Sequence, residues 1–92
     1  MMPGRFRMLA GADETKRPVW EHHDRYKEYG IVVVEGPGYG WEISIWFWPD
    51  GRPDAAVYVG GGSPHPRAAF ADVEEVFAFA YGVIDTEIEG VA

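Results

Sequence analysis

The chain contains no cysteine. That excludes disulfides and thiolate metal sites and fits a reducing, cytoplasmic setting. No apolar run approaches the roughly 20 residues of a membrane span. Met1 to Ala12 carries Arg5 and Arg7 without the apolar core of a signal peptide, so a cytoplasmic protein without membrane association is expected. Ser44 and Ser63 are the only serines, and neither stands in the strand–elbow–helix setting that presents a nucleophile. Positive charge is scarce in the last quarter: Ala68 to Ala92 holds no Lys, Arg or His.

Acids and aromatic rings are abundant. Residues 1–27 hold six bases against four acids, a balance of +2, and residues 28–92 hold two bases against eleven acids, a balance of −9, which sum to the net −7. Direct nucleic-acid binding through the bulk of the chain is not expected on that distribution, because phosphate neutralisation needs clustered bases. The basic first part is alternatively placed against the acidic remainder as internal compensation. Ninety-two residues make one domain, 1–92, with a modest core. Four Trp, five Tyr and five Phe supply its packing, or part of an oligomer or complex interface.

Along the chain, Arg5 to Leu9 alternates basic and apolar residues and reads as a short strand. Asp13 to Pro18 reads as a polar, flexible linker, so 1–18 is a strand plus linker. Val19 to Tyr29 fits helix or strand. Ile31 to Val34 is a β-branched strand between Gly30 and Gly36. Gly36 to Gly40 is a hairpin loop. Trp41 to Trp48 is a second strand, with Trp41, Ile43, Ile45 and Phe47 on one face and Glu42, Ser44, Trp46 and Trp48 on the other. A Pro49–Arg52 turn leads to a third strand over Ala55 to Val59.

Gly60 to Pro66 breaks that strand and opens a helix, with Ser63 as N-cap and Pro64 in the first turn. Phe70, Val73, Phe77, Tyr81, Ile84 and Ile88 then recur at helical spacing, joined by Val76 and Ala80. A break at Gly82 would leave Val83 to Glu89 as a final strand. The apolar stripe survives the glycine, so helix continuity is expected. The expected fold is α+β: a three- to four-stranded antiparallel meander with one C-terminal amphipathic helix on one face.

Four constellations are candidates for function. On the helix, Asp72, Glu74, Glu75, Asp85 and Glu89 form an acidic face without basic neighbours in sequence. Phe79 lies among them as an interface anchor would, although a solvated charged face with a stray Phe fits as well. On the sheet, Trp46, Trp48 and Tyr58 form an aromatic patch suited to a protein contact, a homodimer or a stacking platform, unless the N-terminal segment covers it. The Gly60–Ser63 loop before a helix suggests a small-anion site at Gly61, Gly62, Ser63 and Arg67, though it lacks the lysine of a phosphate loop. In His22-His23-Asp24 the adjacent histidines diverge and rarely share one metal, so a metal site would need one of them with His65 and a carboxylate brought together by the fold. No metal and no cofactor are expected.

This profile is similar to small phage inhibitor proteins of the anti-restriction or anti-CRISPR type, in size, acidity and aromatic content rather than in any motif. The resemblance implies a non-enzymatic, acidic protein-interaction module that blocks a basic, nucleic-acid-handling partner through the residues above. Two alternatives stand beside it. One is an anion or nucleotide binder, or an enzyme, using the Gly60–Ser63 loop with His65 and Arg67. The other is a structural homodimer through Trp46 and Trp48.

Overall fold

A computed structural model describes residues 5–36, 40–61 and 64–90. Five strands, β1 (Phe6–Ala12), β2 (Pro18–Tyr26), β3 (Tyr29–Gly36), β4 (Gly40–Phe47) and β5 (Val57–Gly61), form one antiparallel sheet in the order β1-β2-β3-β4-β5. One helix, α1 (Val73–Val83), follows and continues as a π-helical turn, Ile84–Ile88. The fold is α+β, with five strands where three to four were expected. No helix among the described residues is long and apolar enough to cross a membrane.

The additional strand comes from the first third of the chain: β1 bears out the strand expected over Arg5 to Leu9, and β2 pairs with it. The expected linker over residues 13–18 is instead a hairpin turn. The Asp13 carboxylate accepts hydrogen bonds from the Thr15 and Arg17 amides, each at 2.9 Å. The Thr15 hydroxyl donates to it at 2.6 Å, and Lys16 takes a positive φ. The ambiguous stretch from Val19 resolves as strand. Its alternation places Trp20, His22, Asp24 and Tyr26 beside Glu35, Val33, Ile31 and Tyr29 of β3, a pleat in which period-2 burial outweighs the weaker helical spacing.

One sheet face is the core. Ile31 and Val33 of β3 and Trp41, Ile43 and Ile45 of β4 are fully buried there. They pack against Val76, Phe77, Ala80 and Ile84, one stripe of the helical segment, as the apolar spacing predicts. The other face carries Phe6, Met8, His23, Arg25, Gly30, Val32, Ser44, Trp46 and Tyr58 by register. Among the described residues only the β4–β5 connection reaches it.

The helix begins later than expected. Gly60 and Gly61 belong to β5, and the expected N-cap, Ser63, lies outside the described residues. Residues 64–69 run beside β4: His65 exchanges backbone hydrogen bonds with Trp41 at 2.7 and 3.0 Å. Gly40 permits this close approach, since a Cβ there would meet the His65 carbonyl oxygen. Asp72 is the actual cap. Its carboxylate accepts from the Glu75 amide at 3.1 Å while Glu75 accepts from the Ala71 amide at 2.9 Å, a reciprocal arrangement of capping-box type. The helix runs through Gly82, which is exposed and crowded by nothing, so the expected continuity holds.

Candidate functional site

The acidic residues of the helix are not an uncompensated face. Two basic side chains reach them from the first third of the chain. Arg5, just before β1, donates to Glu74, to Asp24 of β2 at 3.2 Å and to the Tyr81 hydroxyl at 3.0 Å. Its guanidinium stands 4.6 Å from the Phe77 ring centroid. The Tyr81 hydroxyl also donates to Asp24. Lys27, in the β2–β3 turn, donates to Asp85 at 2.5 Å and to Glu89 at 3.1 Å, and the Tyr26 hydroxyl donates to Asp85 at 2.8 Å. The internal-compensation alternative is therefore the one found.

These contacts shift the groups as charge pairing requires. Hydrogen bonding to Glu74 raises the Arg5 pKa further above its already high value, against partial burial. Lys27 is raised by Asp85 and then Glu89. Asp85 is held below the ordinary carboxylate range by Lys27 and then Tyr26. Burial, then the Asp24 hydrogen bond, pushes the Tyr81 phenol up.

Asp72 and Glu75 are occupied in capping α1. Carboxylates at a helix N-terminus also interact favourably with its dipole. Phe79 is 43 % exposed but does not stand alone: its ring centroid lies 5.4 Å from His65 and 5.6 Å from Phe70. That cluster ties α1 to the connector after β5.

The aromatic patch lies on the opposite side of the sheet, so the two halves of the expected partner surface do not meet. Trp46 and Tyr58 are register neighbours in edge-to-face contact at 5.3 Å. Trp48 follows β4, and its amide donates to the Glu28 carbonyl at 2.8 Å. That anchor lays the indole flat over Gly30, where an added Cβ would come within 2.3 Å of the ring.

Three residues not anticipated as site members complete this face. Phe6 stacks on His23 with centroids 4.5 Å apart and planes at 5°, and the Arg25 guanidinium stands 5.4 Å from the Trp48 ring centroid. Between these groups is a cavity of about 330 Å³ floored by Gly30 and Val32. Its sequence signal was slight: a glycine at the head of a β-branched run, with two tryptophans at the end of the next strand.

The expected anion site is not assembled as foreseen. Gly62 and Ser63 lie outside the described residues, and Gly61 is in β5 rather than at a helix N-terminus. The Arg67 guanidinium is paired with Glu35 at 3.1 Å and stacked 4.3 Å from the Trp41 ring centroid. His22 and His23 diverge to opposite faces, bonded to Glu35 at 2.8 Å and Glu21 at 3.0 Å. Among the described residues no three His, Asp or Glu side chains gather as a metal site would require.

No protein-family model matches the chain, and no solved structure matches it. The chain is 32 % identical over 81 residues to acetyl-coenzyme A synthetase 2 of Eremothecium gossypii, an alignment covering 83 % of this chain and 11 % of the synthetase. The chain thus spans about a tenth of the length of the curated relative it matches.

Proposed function

We propose that the chain is a non-enzymatic protein-interaction module that docks a partner on the outer face of its sheet. What supports this is the contrast between the two faces. The helix covers the centre of one, over Ile31, Val33, Ile43 and Ile45, while among the described residues the centre of the other has no helix on it and leaves Phe6 42 %, Met8 47 % and, beside Trp46, Tyr58 54 % exposed. Contiguous aromatic and Met surface of this kind anchors protein contacts. The net charge of −7 steers the module toward a basic partner at long range, and a nucleic-acid-handling protein that it inhibits is the partner of that description. The likeness to a tenth of a synthetase is too short a stretch to bring that enzyme's activity to this chain.

The test is capture of basic nucleic-acid-handling proteins at low and high salt by the wild type and two surface variants. Loss of a specific, salt-sensitive complex in Met8→Ser/Tyr58→Ala, with retention in Glu75→Gln/Phe79→Ala, supports docking on the sheet. The reverse pattern would move the interface to the helix. A mass that doubles with concentration in the wild type alone would give the sheet face to a second copy of the chain.

A further inference from the structure

We propose that the cavity on the outer sheet face is a binding site for a small planar aromatic carboxylate. The proposal is independent of protein docking, because it concerns a concave site that the isolated chain forms by itself.

The cavity follows from one absence in the middle of the sheet. By register, Arg25, Gly30 and Trp46 form one row across β2, β3 and β4, and His23, Val32 and Ser44 form the next. Gly30 has no side chain to fill its place, so the row has a trough at its centre. Trp48 closes one side, fixed by its backbone bond to Glu28. Phe6 and His23 close the other as a stacked pair. Glu21 holds the His23 Nε2, so this imidazole is not free to swing away.

The lining selects the ligand's chemistry. Trp46, Trp48 and Phe6 present ring faces and edges, which take a flat aromatic body by stacking or edge contact. A volume of about 330 Å³ is at the small end of the roughly 300–1,000 Å³ of ligand cavities, enough for one ring or two fused rings. Arg25 supplies the charge. Gly51 of the β4–β5 connection lies against its Nη2, and among the described residues no carboxylate pairs with it, whereas Arg5, Arg17, Arg52 and Arg67 all have acidic partners. The one hydrogen bond of its guanidinium among these residues is a long 3.4 Å bond from Nε to the Lys27 carbonyl. The Asp24 carboxylate, although its residue lines the cavity, is engaged on the far side by Arg5 and Tyr81. An unpaired guanidinium beside aromatic walls in a strongly acidic chain fits a carboxylate, which it can take in a bidentate fork.

Naphthoate and its neutral isostere naphthamide are suitable probes. Each is titrated into the isolated chain at neutral pH while heteronuclear NMR follows the Trp46 and Trp48 indole N–H signals. Naphthoate is expected to saturate both signals and to bind roughly fivefold or more tightly than naphthamide, the scale of one partly exposed charge contact. Arg25→Gln, at an exposed position, should remove that preference and leave naphthamide affinity unchanged. Trp48→Leu should weaken both probes. The proposal is overturned if neither probe saturates by about 2 mM, if the shifts map away from Trp46 and Trp48, or if the preference for naphthoate survives Arg25→Gln.

Discussion

Arg5 lies just before β1, yet it bonds to three residues on two elements, and Arg5→Met should expose how much the fold relies on it. Methionine keeps an unbranched apolar stem and removes the guanidinium, together with its contact on the Phe77 ring. The Glu74 arm contributes little, because that carboxylate is 64 % exposed and such pairs give about 0–1 kcal/mol. The Asp24 arm matters more. Its side chain is 8 % exposed, and a hydrogen bond to a charged group contributes about 1.5–3 kcal/mol. Arg5 itself is 39 % exposed, and Asp24 keeps the Tyr81 hydroxyl and the Arg25 amide, so solvent screening and the remaining donors reduce that arm to about 1–2 kcal/mol. The expected total is about 2 kcal/mol, or roughly 10 °C in Tm for a chain of this length. Urea unfolding followed by Trp fluorescence measures it. A double-mutant cycle then apportions it: Arg5 with Asp24→Asn should couple by about 1 kcal/mol or more, and Arg5 with Glu74→Gln by less than about 0.5 kcal/mol. Coupling to Asp24 below about 0.3 kcal/mol would refute the network and return the acidic helix to solvent.

Two glycine substitutions should have opposite signs. Gly82→Ala meets nothing within 4 Å and should stabilise by about 0.5–1 kcal/mol through helix propensity and a less flexible unfolded chain, read as a higher urea midpoint. Gly30→Ala meets Trp48 at 2.3 Å; displacing half the area of a Trp ring costs about 2 kcal/mol at 25 cal/mol per Å², less up to about 1 kcal/mol gained in strand propensity, and Trp emission should shift to the red. The Lys27–Asp85 pair predicts a pH profile. Asp85 is lowered from 3.8, so its contribution is complete above that value and is lost as pH falls through the lowered one. Lys27 is raised from 10.5, so its share is complete below that value and is lost as pH rises through the raised one. Asp85→Asn should therefore flatten the acid limb of stability against pH and the lysine's share of the alkaline limb; an unchanged acid limb would show that the pair is not made in solution.

The central strands and the helical stripe were legible in the sequence because their burial is periodic and local. Ile31 and Val33 alternate with half-buried Val32 and Val34, and Val76, Phe77, Ala80 and Ile84 return to one side every turn. The first hairpin was legible only in part. The alternation from Arg5 to Leu9 marks β1, although that strand is exposed along its whole length, whereas β2 buries a histidine and an aspartate, His22 and Asp24, where an apolar residue would have marked a strand. The helix start was misplaced because Ser63-Pro64 and Asp72 both carry capping chemistry. Only the crossing of residues 64–69 past β4 at Gly40 decides between them, and that is a tertiary contact.

The same distinction between local and distant neighbours decides where function can sit. In sequence the last quarter holds only carboxylates, and an acidic surface is the natural inference from that. The balancing charges arrive from 69 residues away for Glu74 and 58 for Asp85, so three of the segment's six carboxylates, Glu74, Asp85 and Glu89, hold the helix to Arg5 before β1 and to the β2–β3 turn. Charge at the C-terminal end of a helix would otherwise oppose the dipole, and Lys27 offsets that opposition where it is greatest. On the other face the distant neighbours create exposure instead of removing it. Trp46 and Trp48, two residues apart, would be one more alternating pair on a strand if position 30 carried a side chain. Because it is glycine, one ring lies down beside the other and the space between them opens to Arg25, which no carboxylate among the described residues pairs. A Glu substituted at Gly51, adjacent to the Arg25 Nη2, would supply the missing carboxylate in cis, at the expense of that glycine's positive φ. Such a variant should reject naphthoate while keeping naphthamide. Unchanged naphthoate affinity in a folded Gly51→Glu chain would mean that Arg25 does not face the cavity.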